Sequence, residues 1–406
     1  MFSLLRSLRL HHVSSGLVAV LVGYTSSAAL IFQAAQQAGA SPAQLGSWLG
    51  ALGLGTGLTT LGLSLRYRTP ILTAWSTPGA ALLISSLAGL SLAEAVGAFI
   101  VSSALITLVG FSGLFARLMH RLPQSLAAAM LGGVLLGFCL ELFRALPQAP
   151  WLVGSMLLGY WLLKPRLPRY AIGLVLLIGL AVALGQGDLA GAQLTLGGLH
   201  LEWVSPAFSW HACLGVALPL FLVTMSSQNL PGLATLHAHG YRPPVSPLIG
   251  WTGLAGLLLA PFGGFALNLA AITAALCMGK EADPEPHRRY LAACCAGVFY
   301  LLTALLGSTV ASLFALLPRE LIVAIAGLAL LGTLGGSLKQ ALEVESEREA
   351  ALITLLVTAA GVSFFGIGAP FWGLLAGVLT GLCARRGWLP WGRKALRMPV
   401  MPSAES

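Results

Sequence analysis

The stretch TAWSTPGAALLISSLAG at residues 73–89 is apolar, yet Pro78 and Gly79 interrupt it. The stretch APFGGFALNLAAITAALCMG at residues 260–279 has the same character, with one proline and two glycines near its start. Proline and glycine weaken a helix, so neither stretch is expected to form one straight helix. Non-helical backbone inside a membrane is tolerated only where protein or a cavity shelters it, and paired interruptions of this kind point to a transporter's binding site. The alternative is that both breaks are ordinary kinks or loop ends.

The composition of the whole chain places these stretches in a membrane. Of its 406 residues, 57% are hydrophobic and only 9% are charged, and the mean hydropathy is +0.87. An average globular chain carries about 25% charged residues, because a folded surface must be solvated. A soluble fold is therefore excluded, and most of the surface is expected to face a bilayer.

About 14 apolar segments are long enough to cross the hydrocarbon core, if broken and sheltered segments are counted. The two interrupted stretches stand third in each half of the chain, which is the arrangement expected of an internal repeat. The segments lie near residues 13–35, 43–65, 71–89, 92–116, 123–143, 148–164 and 169–186 in the first half, and near 207–230, 246–262, 264–279, 289–317, 320–338, 350–365 and 369–384 in the second.

The basic residues give an independent test of this count. The net charge is +9, but the 22 lysines and arginines stand in short clusters between apolar segments, so they indicate membrane topology and no nucleic-acid partner. With the N-terminus inside, 20 of the 22 fall on the cytoplasmic side, and only Arg144 and Arg319 fall outside. The basic N-terminus has no cleavage site behind it and is expected to be retained. The prediction is a protein of the inner membrane with both termini on the cytoplasmic side.

The longest polar interruption divides the chain into two nearly equal halves. Residues 1–186 are predicted to form a first repeat of seven segments, and residues 207–385 a second repeat of seven. Between them, residues 187–206 form an external linker, and residues 386–406 form a cytoplasmic tail. Because each half has an odd number of segments, the second enters the membrane from the opposite side. The prediction is an all-α polytopic membrane protein built from two inverted seven-segment repeats.

The interruptions themselves suggest a binding chemistry. A half-helix that starts at Pro78 or near Phe265 would expose free backbone N–H groups and the positive end of its dipole, and could hold an anion without a cationic side chain. Thr77 suits the N-cap and Pro78 the first helical position. Gly79 and Gly264 would let a ligand approach the backbone closely.

A polar patch in the first segment of the second half adds hydrogen-bonding groups. It contains Ser227, Gln228 and Asn229, and it either faces the substrate or bonds neighbouring helices. Tyr24 stands at the corresponding place in the first half and could offer a ring and a hydroxyl, with Phe265 as a second ring. The full set of candidate substrate-binding residues is Tyr24, Ser26, Ser76, Thr77, Gly79, Ser227, Gln228, Asn229, Gly264, Phe265 and Asn268.

Three stretches carry a resemblance to a known family. The runs AWSTPGAALL (74–83), SQNLPG (227–232) and PFGGFALNLAAITAALCMG (261–279) resemble the benzoate membrane transport protein family, commonly called BenE. The resemblance covers essentially the whole chain. It implies an architecture similar to that of the uracil, xanthine and sulfate permeases (UraA-like), with a core domain that holds the substrate between the two broken segments and a separate gate domain. It also implies proton-coupled uptake of benzoate; a homodimer is one option for the assembly.

The nucleobase permeases carry acidic residues at positions where this chain has Gln228, Asn229 and Asn268. The lack of carboxylates there favours an anion over a nucleobase, because a fixed negative charge would repel a carboxylate. It also removes the obvious proton carrier. A permease for another anion or for a nucleobase stays the alternative within transport.

Few other ionisable groups lie within the segments, where such groups are functional candidates. Glu94, Glu141 and His211 are the candidates for proton coupling. Each has a plainer explanation, since Glu94 and His211 begin segments and Glu141 can pair with Arg144 three residues on.

An intramembrane enzyme is the rival from another class. The chain has no HExxH, GxSxG or paired aspartate motif, and its six cysteines show no CxxC spacing. No metal or organic cofactor is implied. The prediction is a secondary transporter that moves benzoate or a related aromatic carboxylate into the cell with a proton.

Overall fold

The computed structural model describes residues 8–115, 124–168, 170–188, 197–362, 364–365 and 367–385, except the side chains of Ser26, Ile272 and Arg385. These residues are mostly helical. The first half contains α1 (Leu10–Gln37), α2 (Pro42–Tyr67), β1 (Thr73–Trp75), α3 (Thr77–Ser86), α4 (Leu92–Phe111), α5 (Gln124–Ala145), α6 (Pro150–Leu163) and α7 (Ala171–Gln186). The second half contains α8 (Trp210–Ala238), α9 (Val245–Leu259), β2 (Leu267–Leu269), α10 (Ile272–Met278), α11 (Tyr290–Leu305), α12 (Gly307–Leu316), α13 (Arg319–Leu342), α14 (Arg348–Ala359) and α15 (Ala369–Arg385).

The helices pack as two groups. The core group contains α1–α4 and α8–α12, and the gate group contains α5–α7 and α13–α15. In the core group the halves exchange partners, since α2 packs on α11 while α9 packs on α4. In the gate group α6 packs on α7 and α14 on α15, and α5 joins the halves by packing on α13. Corresponding elements of the two halves therefore make corresponding contacts.

Small residues bring the exchanged helix pairs close together. A Cβ added to Gly110 on α4 would lie 2.3 Å from the backbone nitrogen of Gly250 on α9. A Cβ added to Gly297 on α11 would lie 3.1 Å from the carbonyl oxygen of Gly57 on α2. Membrane helices associate through such small residues, because lipid tails remove the hydrophobic drive and leave van der Waals packing as the main attraction.

Helix α8 contains two π-helical stretches, Cys213–Ala217 and Met225–Asn229. A π-helical turn adds a residue to the helix and rotates the side chains that follow it, and such turns are frequent at functional sites. The second stretch carries the polar patch found in the sequence, so the helix is irregular where its polar side chains lie.

The structure revises the predicted segments in one place and leaves their total open. Eight helices in the described part of the chain are long and apolar enough to cross a membrane, and α6, α7, α12 and α15 are shorter apolar helices. The count of fourteen is therefore not confirmed. The segment predicted at 289–317 is two helices, α11 and α12, which separate at Leu306. There the backbone of Gly307 approaches α2 so closely that an added Cβ would lie 2.7 Å from the carbonyl oxygen of Gly46.

Candidate substrate site

The two interrupted stretches meet in the fold. Strands β1 and β2 pair antiparallel, with Ala74 opposite Asn268, and they form the only sheet among the described residues. The Ser76 N–H extends the pairing by donating to the Ala266 carbonyl at 3.1 Å. Each stretch is thus a short strand followed by a short helix, and the pairing satisfies backbone groups that would otherwise be stranded away from water.

A hydrogen-bond network of four threonines anchors β1 to α2. The Thr73 hydroxyl lies 2.7 Å from that of Thr59 and 2.8 Å from that of Thr60, and it donates to the Thr56 carbonyl at 3.0 Å. The Thr73 N–H donates to the Thr60 hydroxyl at 3.0 Å. All four residues are buried, so the network holds the strand in a fixed place beside α2.

Helix α3 begins one residue earlier than the prediction. Ser76, not Thr77, is the N-cap, because its backbone is extended and its side chain accepts from the Gly79 N–H at 2.9 Å. Thr77 and Pro78 then occupy the first two helical positions. Pro78 has no N–H and Gly79 is already bonded, so what α3 can offer an anion is chiefly the positive end of its dipole.

The second half-helix begins later than predicted. The chain does not become helical near Phe265; it turns at Gly263, which has a φ of 88°, and at Ala266, which has a φ of 45°. It then stays extended through β2, and α10 begins at Ile272 with no side-chain cap. The physical reason is the strand pairing, which takes up the residues expected to form the first helical turn.

An aromatic cluster of Tyr24, Trp75 and Tyr300 lies beside the strand pair. The rings of Tyr24 and Trp75 are 5.5 Å apart and nearly perpendicular, and those of Trp75 and Tyr300 are 5.9 Å apart. The Trp75 indole N–H donates to the Ser27 hydroxyl at 2.7 Å. The Tyr24 hydroxyl oxygen is buried and has no hydrogen-bond partner among the described residues. A buried hydroxyl without a partner is costly, and a ligand that binds it would remove that cost.

Phe265 lies elsewhere. Its ring is completely buried, 6.0 Å from that of Trp48 and 5.4 Å from that of Phe99. The expectation that it flanks a ligand ring opposite Tyr24 is therefore corrected, because its faces are taken by protein. Trp75 is the second ring beside Tyr24.

The two asparagines were predicted to bind substrate, with bonding to neighbouring elements as the alternative for the patch that contains Asn229. The Asn229 side-chain oxygen accepts from the Leu269 N–H at 2.9 Å, and its Nδ2 donates to the Met225 sulfur at 3.3 Å. The Asn268 Nδ2 donates to the Ala266 carbonyl at 2.8 Å, while its Oδ1 is buried without a partner among the described residues. Extended backbone inside the protein needs hydrogen-bond partners, and Asn229 stabilises β2 by providing one. The Oδ1 atom of Asn268 stays available to accept a hydrogen bond.

The remaining polar candidates are spread around the same elements. Ser227 and Gln228 are half-buried in the second π-helical stretch of α8, and Thr77 is half-buried at the start of α3. The side chain of Ser26 lies outside the described part of the chain. Ser227 and Gln228 are next to Asn229, which contacts β2 directly, so the polar patch adjoins the strand pair.

The glycines pack against protein and not against open space. A Cβ on Gly79 would lie 2.8 Å from both Leu220 Cδ1 and the Ser76 hydroxyl, and a Cβ on Gly264 would lie 2.7 Å from Leu259 Cβ. Close approach of a ligand to the backbone at these glycines stays a prediction. A β-branched residue at either position would disturb packing before it met a ligand.

The three proton-coupling candidates do not join this site. Glu94 closes a capping box with Ser91, whose N–H and hydroxyl lie 3.0 and 2.8 Å from its carboxylate. Glu141 pairs with Arg144 at 2.6 Å, with both side chains more than half exposed, and His211 is exposed at the start of α8. Capping for Glu94, an ion pair for Glu141 and a position at a helix start for His211 are the alternatives to proton coupling that the sequence left open.

Sequence reasoning missed three residues near the strand pair. Trp75 immediately precedes the first break, and that position was its available signal. Thr273 and Tyr300 both approach Gly23 on α1, since a Cβ there would lie 3.5 Å from Thr273 Cγ2 and 2.8 Å from the Tyr300 hydroxyl. Thr273 lies within the second interrupted stretch but Tyr300 lies outside both, and only the fold brings the two residues next to α1.

The unpartnered Tyr24 hydroxyl gives a testable expectation. Tyr24→Phe should leave the ligand-free protein as stable or more stable, by up to about 1–3 kcal/mol, because it removes a buried group without a partner. It should also weaken substrate binding, because the ring stays while the donor is lost. Thermal unfolding in detergent and a binding titration on the same preparation measure the two effects. A loss of stability with unchanged binding would show that the hydroxyl has only a structural role.

Comparison with known proteins identifies the family. The family model for the benzoate membrane transport protein, BenE, matches residues 6–382. The chain belongs to the BenE family. It is 41% identical over 366 residues to the "Benzoate membrane transport protein" of Acinetobacter baylyi, covering 90% of this chain and 93% of that protein. It is 53% identical over 369 residues to the "Inner membrane protein YdcO" of Escherichia coli, covering 91% and 94%.

Solved structures show the fold of this BenE-family chain. The transmembrane domain of the cyanobacterial bicarbonate transporter BicA aligns with a TM-score of 0.59 at 14% identity, covering 91% of this chain and 97% of that one. Murine Slc26a9, an anion transporter solved in its inward-facing state, aligns with a TM-score of 0.60 at 13% identity, covering 94% and 70%. The fold is the UraA-like transporter fold. The chain is a multi-pass inner membrane transporter and not an enzyme.

Proposed function

We propose that this BenE-family chain is a secondary transporter that takes benzoate, or a related aromatic carboxylate, into the cell together with a proton. The observation that carries the proposal is the Tyr24 hydroxyl, which is buried beside the Trp75 ring where the two interrupted stretches pair and has no partner among the described residues. A ligand with an aromatic ring and a hydrogen-bond acceptor matches both features. The relative from Acinetobacter baylyi, named for benzoate transport, supports the same substrate class.

The chemistry of the surrounding side chains suits a carboxylate. Tyr24 and Trp75 provide aromatic surface for the ring, while the Tyr24 hydroxyl, Ser227 and Gln228 can donate to the carboxylate oxygens. The dipole of α3 points its positive end toward the strand pair. None of these groups carries a charge, so a bound carboxylate meets no fixed negative charge to repel it.

The topology that we propose follows the sequence prediction. Residues 1–186 and 207–385 form the two inverted repeats, with residues 187–206 as an external linker and residues 386–406 as a cytoplasmic tail. The exchanged packing of α2 on α11 and of α9 on α4 supports the repeats, because a two-fold relation between the halves generates both contacts together. The distribution of lysine and arginine supports cytoplasmic termini.

Counterflow in proteoliposomes tests the substrate. Vesicles loaded with unlabelled benzoate should take up labelled benzoate, and the uptake should be competed by other aromatic carboxylates. Vesicles loaded with uracil, sulfate or bicarbonate should not show this exchange. The inorganic anions are included because the two structural neighbours named above transport anions. Exchange with uracil or an inorganic anion in place of benzoate would overturn the proposal and identify the alternative.

A further inference from the structure

A cavity of about 490 Å³ lies away from the candidate substrate site, where α2 ends and α11 begins. It is on the face that carries the start of α1, because the His12 Nε2 lies 2.7 Å from Asp283 Oδ2 in the loop before α11. Two arginines and a histidine contribute to its lining, with one acidic residue. We refer to it as the basic cavity, and its lining residues are Arg68, Glu285, His287, Arg288, Tyr290 and Leu291.

Arg68 places a guanidinium at this cavity without a carboxylate to pair with it. The residue directly follows α2, and its side chain makes no hydrogen bond or ion pair with the described part of the chain. Its backbone is left-handed, with a φ of 47°. Glycine adopts that conformation at a helix end without strain, whereas a residue with a Cβ does not. The choice of arginine is therefore better explained by what its guanidinium binds than by the helix end.

The acidic groups close to the cavity already have partners. Asp283 Oδ1 accepts from the Glu285 N–H at 2.8 Å, and its Oδ2 lies 3.8 Å from the Arg288 Nε. The Glu285 carboxylate lies 3.3 Å from the His287 Nε2. Neither carboxylate forms an ion pair with Arg68, so the Arg68 charge is left for an anion from outside the chain.

Positive charge is in excess around the cavity as a whole. Residues 66–68 and 280–289 contain five lysines and arginines but three acidic residues. One of the five, Arg289, is buried and donates to the carbonyls of Asp283 and Met278 at 2.8 Å, with no ion pair to a described residue. A buried cation that has only carbonyl partners adds to the positive potential of its surroundings. The cavity therefore favours an anionic ligand.

The two helices that meet at the cavity expose apolar side chains on one common side. Helices α2 and α11 pack antiparallel, with Gly57 against Gly297. Leu58 and Val298 directly follow these glycines, and the same step along both helices of an antiparallel pair turns to the same side. The two side chains are 54% and 47% exposed, so they form a shared apolar surface.

This apolar surface leads to the cavity along both helices. On α2, Leu65 lies two turns beyond Leu58, is also exposed, and stands just before Arg68. On α11, Leu291 lines the cavity and lies two turns before Val298 on the same helical face. A ligand with an anionic group and long apolar chains would contact both the basic cavity and the exposed side of the helix pair.

We propose that the basic cavity binds the phosphate group of an anionic phospholipid, whose acyl chains lie along the exposed side of α2 and α11. Arginine suits this role because its planar guanidinium can donate two parallel hydrogen bonds to phosphate oxygens. Basic pockets between membrane helices are known to hold anionic headgroups. The site is separate from the strand pair and does not depend on which substrate is transported. With the cytoplasmic termini proposed above, it faces the inner leaflet.

Lipid titration of the purified full-length protein in a neutral detergent tests the site. Dioleoyl phosphatidylglycerol should raise the thermal unfolding temperature in a saturable way, because a ligand that binds the folded state stabilises it. Dioleoyl phosphatidylcholine has the same chains but a headgroup without net charge, and it should have little effect. Inorganic phosphate and glycerol 3-phosphate, titrated separately, test whether the phosphate group is enough without the chains.

Variants of the lining separate the cavity from general attraction between charges. Arg68→Gln should raise the phosphatidylglycerol concentration that gives half the effect by about fivefold or more. Glu285→Gln should lower that concentration, because it removes the acidic side chain from the lining. Arg166→Gln makes the same change as Arg68→Gln at an exposed arginine between α6 and α7 and is the matched control. It should behave as the unchanged protein does.

Arg68→Gly covers the case in which Arg68→Gln folds poorly. Glycine relieves the left-handed backbone, so this variant should unfold without lipid at the same or a higher temperature and still show the weakened lipid response. An equal response of the Arg68 and Arg166 variants, or equal stabilisation by phosphatidylcholine, would overturn the site. Stabilisation by inorganic phosphate or glycerol 3-phosphate that matches phosphatidylglycerol and needs Arg68 would overturn the lipid and identify a soluble phosphate as the ligand.

Discussion

Gln228→Glu is expected to weaken benzoate binding by tenfold or more while leaving the fold intact. The substitution keeps the size of a half-buried side chain in the π-helical stretch of α8 and removes its N–H donors. Each hydrogen bond to a charged group contributes about 1.5–3 kcal/mol, and a tenfold change in affinity corresponds to about 1.4 kcal/mol. The new charge adds repulsion, so the loss should exceed that of Gln228→Ala. Binding titrations on the purified variants measure both.

The exposed Gln36 at the end of α1 offers a matched control. Gln36→Glu makes the same chemical change away from the site and should leave benzoate affinity unchanged. Native affinity in Gln228→Glu at a pH where the glutamate is ionised would mean that the carboxylate binds elsewhere. The position of the polar patch in the site would then be wrong, although the fold would stand.

The largest expected effect on stability is that of Thr73→Val. Valine has the shape of threonine but cannot bond to Thr59, Thr60 or the Thr56 carbonyl, so the network loses its centre. Each hydrogen bond that is lost with the Thr73 hydroxyl contributes about 0.5–1.5 kcal/mol to stability, so the thermal unfolding temperature in detergent should fall. Benzoate counterflow should fall as well, because β1 carries the Trp75 ring.

Thr380→Val in α15 controls for the loss of a threonine hydroxyl in general. That hydroxyl donates to the Ala376 carbonyl of its own helix, which keeps its helical partner after the change. It should leave the unfolding temperature close to that of the unchanged protein. Equal stability of the two variants would contradict the anchoring role of the network.

Local sequence features were enough to find the broken stretches. Pro78 and Gly79 mark the first break, and the glycines after Pro261 mark the second, because these residues act on the backbone where they stand. The membrane environment likewise follows from composition. The same local signals could not give the helix starts correctly, since pairing between β1 and β2 keeps the second stretch extended through Leu269 and α10 begins only at Ile272.

The differences between the predicted and the observed contacts of the site residues have one physical origin. The Phe265 ring packs against Trp48 and Phe99, and the Asn229 side-chain oxygen accepts a hydrogen bond from the Leu269 N–H. These partners are distant in sequence. The buried hydrogen bond between His12 and Asp283 joins residues that are 271 positions apart. A single sequence contains no information about which distant residue fills a given place. Residue type therefore indicated the candidate residues, while the fold shows which of them already contact other parts of the protein.

The pairing of β1 with β2 restricts how the candidate substrate site can open first to one side of the membrane and then to the other. The strands come from opposite halves of the chain, and separating them would strand backbone groups where no water can replace the lost bonds. We therefore expect the junction to move as one rigid piece, together with any substrate that binds there as proposed above. The motion is then expected between the core and gate groups. A crosslink across that seam should stop the cycle, whereas one between the two strands should let it run.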